Sequence, residues 1–358
     1  MSRLIRAVID TQALRHNLNV IRARAGRANV IAVVKANAYG HGLVSAALAI
    51  QDAGAFAVAR LEEGMSLRQA GITSRIVLLE GVFSRSQLED AAQDQLDLVV
   101  HDPSQIELLE KTGGAARFAT WLKVDTGMNR LGFAPHEFAA ALNRIRELPS
   151  PPRELRLMTH LACADERDGK VTGEQLARFR EVTNGLSYET SIANSAGLFG
   201  EVATTSQWVR PGIALFGASP FADMSAAQLD LRPVMTLVST VLTVRQVRCG
   251  ERVGYGGAWS APRDSRIAII AAGYGDGVPR SFETGTPVLI RDQRAALVGR
   301  VSMDMIAVDV TGIEGVAVGT PAVLWGAGLP VEEVARHAGT IPYELLCSVS
   351  QRVPLEPH

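Results

Sequence analysis

The sequence predicts an α/β fold in which a (β/α)8 barrel is followed by a mainly β C-terminal domain. From Val30 onwards, short apolar segments alternate with segments of helical spacing, which is typical of consecutive βα units. Counting from Val30 gives eight strands in about 200 residues, as in a (β/α)8 barrel, whose active sites lie at the carboxyl ends of the strands. A doubly wound open sheet is the alternative, but it usually has fewer parallel strands. Beyond about Pro220 the pattern changes to long β-rich runs, so we divide the chain into domains of residues 1–225 and 226–358.

Local signals predict the elements in order. A strand, Leu4–Ile9, precedes a helix that Asp10 is suited to cap and Gly26 is suited to end. The barrel strands are predicted at Val30–Val34, Ala55–Ala59, Arg75–Glu80, Leu96–His101, Phe118–Asp125, Leu155–Leu161, Glu189–Ala193 and Val209–Phe216. The helices between them are predicted at Leu61–Ala70, Ser84–Gln93, Pro103–Lys111, Pro135–Arg146, Gly173–Asn184 and near Ser195. Short helices are predicted in the second domain at Val331–His337 and Tyr343–Leu346.

Composition limits the classes of partner. The 358 residues carry a formal net charge of −1, a sequence pI near 6.7 and no run of like charges, so neither nucleic acid nor a membrane surface is an expected partner. The amino terminus has no continuous apolar stretch like that of a signal peptide, which predicts a cytoplasmic protein. Cys163, Cys249 and Cys347 form no CxxC pair, so we expect reduced structural thiols and no metal site. The expected ligand is a small molecule.

The most informative stretch is VIAVVKANAYGHG, which runs from Val30 to Gly42. Its apolar, β-branched beginning predicts a buried strand that ends at Lys35 and a turn of small residues. A lysine at such a strand end loses hydration, which favours an uncharged amine that can act as a nucleophile. The glycines that follow let the backbone approach a ligand closely. A lysine that extends from the strand end into solvent is the alternative.

This stretch resembles the lysine motif of alanine racemases, and later motifs extend the resemblance over essentially the whole chain. The resemblance implies the same two-part architecture, with pyridoxal 5′-phosphate bound as an aldimine to Lys35. It implies an isomerase that interconverts L-alanine and D-alanine. The enzyme would either supply D-alanine for peptidoglycan synthesis or serve the breakdown of D-alanine.

The resemblance also implies which residues contact the cofactor phosphate. Barrels often hold phosphate in the loops after strands seven and eight, with backbone amides at a short helix. Two predicted segments, NSAG after the seventh strand and RPGI in the eighth, lie at these places, although NSAG alone would be an ordinary helix cap. Two tyrosine hydroxyls are implied to reach the same phosphate. The predicted contacts are Tyr39, Asn194, Ser195, Gly212, Ile213 and Tyr343.

Arg210 is implied to face the pyridine nitrogen of the cofactor. Because arginine keeps its proton, the nitrogen would stay unprotonated, which weakens the ring as an electron sink and limits side reactions. A strand-end arginine in a surface salt bridge is the alternative. His160, at the end of the sixth predicted strand, is implied to link Arg210 to the catalytic tyrosine, and its alternative is a hydrogen-bonded structural histidine.

The motif LKVDTGMNRLG, which closes the fifth predicted strand, supplies Lys123 and Arg130. In the family, the matching arginine reaches the phenolic oxygen of the cofactor and the substrate carboxylate. The matching lysine is frequently carbamylated, and the added negative charge holds the arginine in position. Carbamylation requires a neutral amine, which desolvation in a strand interior favours. A salt-bridged lysine is the alternative.

Three motifs of the second domain complete the resemblance: GYGGAW with Tyr255, GYGDGVPR with Tyr274, and GRVSMDM with Met303 and Asp304. The resemblance implies that they form a substrate wall contributed by the partner subunit of a head-to-tail homodimer. Lys35 would act on the proton of D-alanine and Tyr255 on that of L-alanine, from opposite faces of Cα. A regulatory pyridoxal-phosphate-binding protein and a decarboxylase of related fold are the competing interpretations.

Overall fold

The structure, a computed structural model, describes residues 4–115, 118–166, 168–200 and 206–358. Its strands are β1 (Arg6–Ile9), β2 (Asn29–Val33), β3 (Ala55–Val58), β4 (Arg75–Leu78), β5 (Asp97–Val100), β6 (Ala119–Lys123), β7 (Glu154–Met158), β8 (Thr190–Ser191), β9 (Trp208–Val209), β10 (Met235–Val247), β11 (Arg252–Val253), β12 (Trp259–Ser260), β13 (Ser265–Ile270), β14 (Pro287–Ile290), β15 (Gln293–Val298), β16 (Ile306–Asp309), β17 (Pro321–Trp325) and β18 (Leu355–Pro357). Its helices are α1 (Thr11–Ala25), α2 (Lys35–Tyr39), α3 (Leu43–Ala49), α4 (Leu61–Gln69), α5 (Arg85–Gln93), α6 (Pro103–Lys111), α7 (Pro135–Arg146), α8 (Lys170–Thr183), α9 (Ser195–Phe199), α10 (Val331–His337) and α11 (Pro342–Ser348).

Strands β2 to β9 form a closed barrel of eight strands. Each strand pairs with the next in parallel, and β9 closes the ring by pairing Val209 with Val30 of β2. Strands β3 and β5 are buried at every position, because helices cover the outside of the barrel and side chains fill its inside. The predicted fold, a (β/α)8 barrel followed by a mainly β unit, is confirmed.

The eighth barrel strand is much shorter than the predicted strand Val209–Phe216. Strand β9 ends at Val209, and a 3-10 helix occupies Ile213–Phe216. The physical reason lies in Pro211, which has no backbone N–H to donate to a strand ladder and therefore ends regular pairing. The chain still closes the barrel, because the Pro211 carbonyl accepts from Val33 N–H at 3.0 Å. Arg210 and Gly212 therefore lie in the turn after the strand.

A second sheet of eight strands follows the order β13-β16-β15-β14-β17-β10-β1-β18, and β13 also pairs with β10. Strand β1 pairs antiparallel with β10 and parallel with β18. The domain boundary predicted from the sequence places this first strand with the barrel, whereas its pairings lie in the second sheet. A local strand pattern does not identify the pairing partner, which here is more than 200 residues away, as in the pair Arg6 and Val238.

Helices α1 and α11 connect the two parts. Asp10 caps α1 by accepting from the N–H groups of the next two helical residues, and Gly26 ends the helix with φ of 61°, as predicted. The α11 segment packs back on the barrel, where the Leu346 carbonyl lies 2.1 Å from the place a Cβ on Gly40 would take. Gly40, with φ of 81°, is therefore required by both its conformation and this contact. Across the described ranges, no helix is long and apolar enough to cross a membrane.

Candidate active site

A cavity of about 490 Å³ lies at the carboxyl ends of the barrel strands. Its walls come from the ends of β2, β6 and β7, from the segments after β8 and β9, and from α11. Eleven of the predicted site residues line it: Lys35, Tyr39, Lys123, Arg130, His160, Asn194, Ser195, Arg210, Gly212, Ile213 and Tyr343.

Lys35 follows β2 and directly precedes a left-handed turn of residues 36–39. Residues 36–39 have φ values of 54°, 54°, 53° and 52°, and none of them is glycine. This conformation costs a non-glycine residue about 1–2 kcal/mol, so surrounding contacts must hold it. Within the segment, Gly40 N–H donates to the Ala36 carbonyl at 3.1 Å, and Asn37 Oδ1 accepts from Leu43 N–H at 2.8 Å. The sequence predicted a turn here without its handedness.

Four cationic side chains surround His160 in the cavity, those of Lys35, Lys123, Arg130 and Arg210. Burial, with Arg210 and Arg130 nearby, lowers the pKa of Lys123 to about 8. Burial and Arg210 lower the pKa of His160 to about 2, so its imidazole is neutral. Burial lowers the pKa of Arg210 to about 10, which leaves a cation at neutral pH. The cavity is therefore suited to an anionic ligand.

Arg210 is buried, with 5% of its surface exposed, and is fixed by hydrogen bonds. Its Nη1 donates to Ser191 Oγ at 2.5 Å, and its Nη2 donates to the Thr159 carbonyl at 2.5 Å. Nη2 also lies 3.5 Å from His160 Nδ1, which must accept because guanidinium has no acceptor. The neutral imidazole then carries its proton on Nε2. These partners are a hydroxyl, carbonyls and an imidazole, which contradicts the alternative of a surface salt bridge.

Hydroxyl and backbone N–H groups meet in the part of the cavity wall formed by the segments after β8 and β9. Ser195 Oγ accepts from the N–H groups of Gly212 at 2.9 Å and Ala214 at 3.3 Å. Asn194 caps α9 through its Oδ1, which accepts from Gly197 N–H at 2.9 Å. A Cβ on Gly212 would lie 2.2 Å from Tyr39 Oη, so the hydroxyl occupies space that only glycine leaves open.

The two cavity tyrosines remain protonated. Burial raises the pKa of Tyr39 well above its usual value, and burial raises the pKa of Tyr343 to about 12. Their rings lie 6.0 Å apart between centroids. Both hydroxyls can therefore donate hydrogen bonds to a ligand in the cavity.

The four residues predicted from the second domain, Tyr255, Tyr274, Met303 and Asp304, are absent from the cavity lining. Tyr255 follows β11 and is 68% exposed, while Tyr274 and Met303 are 43% and 53% exposed. Three of the four lie together, because Tyr274 N–H donates to the Ser302 carbonyl at 3.1 Å and the next residue's N–H donates to the Met303 carbonyl at 2.9 Å. Arg352 binds Asp304 at 2.8 Å. These residues form an exposed surface of the β unit.

Sequence reasoning missed several lining residues, among them Glu80, Leu131, Met158 and Cys347. Glu80 ends the predicted strand Arg75–Glu80, which was a signal that barrel geometry provides, whereas Met158 lies inside the predicted strand Leu155–Leu161 and ends β7 only in the structure. Cys347 lies four residues after Tyr343 in α11, so helical spacing places both on one face. The three cysteines are free, as predicted, and burial raises the pKa of the Cys347 thiol. Its position in the cavity wall distinguishes Cys347 from the expected structural thiol.

Two family models match the chain, the alanine racemase N-terminal domain over residues 9–220 and the alanine racemase C-terminal domain over residues 234–356. The chain belongs to the alanine racemase family. The alanine racemase of Nitrosomonas eutropha is 47% identical over 357 residues, which cover 99% of each chain. That of Vibrio parahaemolyticus is 45% identical over 351 residues and 98% of each chain.

Solved structures of alanine racemases agree with this assignment. The biosynthetic alanine racemase from Pseudomonas aeruginosa is similar with a TM-score of 0.96 and 45% identity over 100% of both chains. The alanine racemase from Acinetobacter baumannii has a TM-score of 0.93 and 38% identity over 100% of both chains. The predicted family and enzyme class, an isomerase of the racemase type, are confirmed. Alanine racemases are pyridoxal-phosphate enzymes as a family, and the individual residue contacts stay predictions.

Proposed function

We propose that this chain interconverts L-alanine and D-alanine at the barrel cavity, with pyridoxal 5′-phosphate as cofactor and with Lys35 and the partner subunit's Tyr255 as the two bases. The observation that carries the proposal is that one cavity contains Lys35, the cationic side chains of Arg130 and Arg210, and a cluster of hydroxyl and backbone N–H groups. The matches to alanine racemases over the full chain support the same reaction.

The cavity residues fit this cofactor. The hydroxyls of Tyr39, Ser195 and Tyr343 and the N–H of Ile213 would hold the phosphate. Gly212 N–H fixes Ser195, and Asn194 caps the helix that begins at Ser195. Gly212 leaves the space that the Tyr39 hydroxyl occupies among these proposed phosphate-binding residues. When bound through Lys35, pyridoxal phosphate supplies an electron-withdrawing ring that makes the α-proton of the amino acid removable.

Arg210 would donate to the ring nitrogen of the cofactor. Its pKa of about 10 keeps the guanidinium charged at neutral pH, and a charged guanidinium can only donate. The nitrogen must then act as an acceptor without a proton of its own. His160 would extend this contact toward the catalytic tyrosine, because its Nδ1 accepts from Arg210 and its Nε2 carries a proton. This arrangement limits reactions other than racemisation.

Arg130 would bind the substrate carboxylate and the phenolic oxygen of the cofactor, and Lys123 would hold Arg130 once carbamylated. With a pKa of about 8, Lys123 has a substantial neutral fraction near pH 8. The neutral amine adds to the carbon of CO2, an N–C bond forms, and one proton leaves to solvent. The carbamate is an anion beside the cationic side chains of Lys35, Arg130 and Arg210, and this attraction favours its formation. A carbon-13 label from bicarbonate that appears in the parent and is absent from Lys123→Met tests this step.

The two bases must lie on opposite faces of Cα, because inversion requires that the proton removed from one face be replaced from the other. Lys35 Nζ would remove the proton of D-alanine while the Tyr255 hydroxyl donates to the opposite face, and the roles reverse for L-alanine. Since Tyr255 is 68% exposed and absent from the cavity of its own chain, it would act in the cavity of a partner. Tyr274, Met303 and Asp304, which share an exposed surface, would enter the same partner site.

The cellular role is part of the proposal. The likeness to the biosynthetic alanine racemase from Pseudomonas aeruginosa supports supply of D-alanine for peptidoglycan over D-alanine breakdown. Both roles place the enzyme where free alanine and cofactor are present, and cytoplasmic residence stays a prediction that cell fractionation checks.

Chiral chromatography of reactions started from either alanine enantiomer tests the function directly. The cofactor-loaded protein should bring both to the same mixture, and Lys35→Ala should abolish this conversion. Borohydride reduction should fix the cofactor on the peptide that contains Lys35. A protein that binds no cofactor and leaves both enantiomers unchanged would contradict the proposal. Release of CO2 from L-amino acids would favour the decarboxylase interpretation instead.

A further inference from the structure

The carboxylate of Glu63 accepts hydrogen bonds from four backbone N–H groups. Two of them belong to the left-handed turn of residues 36–39, which we call the lysine turn because it directly follows Lys35. Glu63 lies in the first turn of α4, where its Oε2 accepts from Ala59 N–H at 3.0 Å and Arg60 N–H at 3.2 Å. Its Oε1 accepts from Ala36 N–H at 2.7 Å and from Asn37 N–H at 3.4 Å. Glu63 therefore joins the end of β3 to the lysine turn.

The bond from Arg60 N–H is a common helix-capping contact, in which a glutamate at the third helical position accepts from the N-cap backbone N–H. Glu137 makes the same contact in α7, where its Oε2 accepts from Ala134 N–H at 3.0 Å. That contact serves the helix to which Glu137 belongs. The two bonds from Glu63 Oε1 to the lysine turn are thus an addition that helix capping does not require.

The lysine turn needs support from outside its own sequence. Residues 36–39 are in the left-handed region without a glycine, a conformation that persists only where surrounding contacts hold it. Hydrogen bonds to an ionised carboxylate are stronger than those between neutral groups. Glu63 supplies two of them at the first two residues of the turn, directly after Lys35.

We infer that Glu63 is a positioning residue that holds the left-handed turn, and through it keeps Lys35 and Tyr39 in place in the cavity. Lys35 precedes the turn and Tyr39 ends it, and both line the cavity, whereas Glu63 is absent from the cavity lining. The inference rests on the proposed function, in which the lysine binds the cofactor covalently and the tyrosine binds its phosphate.

Glu63→Gln compared with Glu137→Gln tests the inference. In Glu63→Gln the amide oxygen can accept from one pair of N–H groups, but the NH2 group faces the other pair as donor against donor. We expect amide hydrogen exchange in residues 34–43 to rise about tenfold or more, and the cofactor dissociation constant to rise by a similar factor. The kcat should fall while KM for alanine changes little, because Arg130 lies in another part of the cavity wall, the loop after β6. Glu137→Gln makes the same substitution at a matched capping glutamate, whose one N–H partner the amide oxygen can still bind, and should change none of these.

Equal amide hydrogen exchange and equal cofactor affinity in the two variants would show that Glu63 acts only as a helix cap and would overturn the inference. If Glu63→Gln does not fold, Glu63→Asp replaces it, because the shorter side chain can reach only one pair of N–H groups. Unchanged amide hydrogen exchange at residues 34–43 in Glu63→Asp would also overturn the inference. The exchange measurement is made without cofactor too. A parent that binds none would contradict the proposed function while still testing the Glu63 contact.

Discussion

At the scale of single residues, Gly212 and Tyr39 share one small space. The Tyr39 hydroxyl lies 2.2 Å from where a Cβ on Gly212 would be, and the next ring carbon lies 3.0 Å from it. Real atoms do not approach so closely, so any side chain at residue 212 must displace the tyrosine. Because Tyr39 is buried and packs on Phe216 with 4.9 Å between ring centroids, it has little room to move.

Gly212→Ala should therefore raise the cofactor dissociation constant by about tenfold to a hundredfold, the range expected for one methyl group forced into a filled site. The penalty should be smaller in a Tyr39→Phe background, because the colliding oxygen is gone. Cofactor titration of the parent, both single variants and the double variant measures this coupling. An equal penalty in both backgrounds would show that the contact with the Tyr39 hydroxyl is not the cause.

At the scale of elements, charged and aromatic side chains join the amino ends of the barrel strands. Asp97 of β5 is almost fully buried, pairs with Arg75 of β4 and accepts from Trp121 Nε1 at 3.1 Å. Arg75 also donates to Glu154 of β7 at 2.8 Å. Arg156 stacks over the Trp121 ring at 5.2 Å. These contacts fill the end of the barrel opposite the cavity.

Asp97→Ala should destabilise the fold by about 1–3 kcal/mol, because it leaves the buried Trp121 N–H without a partner and removes one of the two carboxylates that bind the partly buried Arg75. The cofactor dissociation constant should stay within about twofold of the parent, since Asp97 lies far from the carboxyl ends of the strands. Urea unfolding monitored by circular dichroism measures the first quantity. Glu110→Ala is the control, because its pair with Arg144 at 2.9 Å is surface-exposed and is expected to contribute much less to stability. Equal losses in the two variants would contradict a structural role for the Asp97 contacts.

At the scale of the whole molecule, the proposed pair of bases, Lys35 and Tyr255, does not come together in one chain. The cavity of the barrel contains Lys35, whereas Tyr255 is on an exposed surface of the β unit. Two copies that each insert this surface into the other's cavity would form a closed two-fold dimer, the commonest symmetric assembly. Each site would then contain residues from both chains.

Mixing inactive variants tests this arrangement. Lys35→Ala and Tyr255→Ala homodimers should each fail to racemise alanine. After reversible dissociation and random pairing, about half of the dimers are mixed, and one of the two sites in each carries neither change. Roughly a quarter of the parental activity should return. Mixtures that stay inactive, although mass measurement shows that mixed dimers are present, would place both bases in one chain.

Much of the cavity lining could be predicted from the sequence, because its motifs resemble those of alanine racemases and because strand ends in a barrel converge wherever βα units repeat. Lys35, Arg130 and His160 each follow a recognisable strand, and the structure brings them together. Cys347 was not predicted, since it reaches the cavity only because α11 folds back from the end of the chain.

The motifs that resemble those of alanine racemases indicated the residues at the barrel mouth. By itself, the local sequence pattern determined the repeating βα order and the caps of α1 at Asp10 and Gly26. These depend on burial periodicity and on hydrogen bonds between near neighbours, which a local pattern contains. Only the tertiary structure decided the sheet that β1 joins, the handedness of the turn after Lys35 and the contact of Glu63 with that turn. In each case the deciding group is remote in sequence or works against local preference. A strand pairs with whichever edge the fold presents, and a left-handed turn without glycine exists only where other parts of the chain hold it.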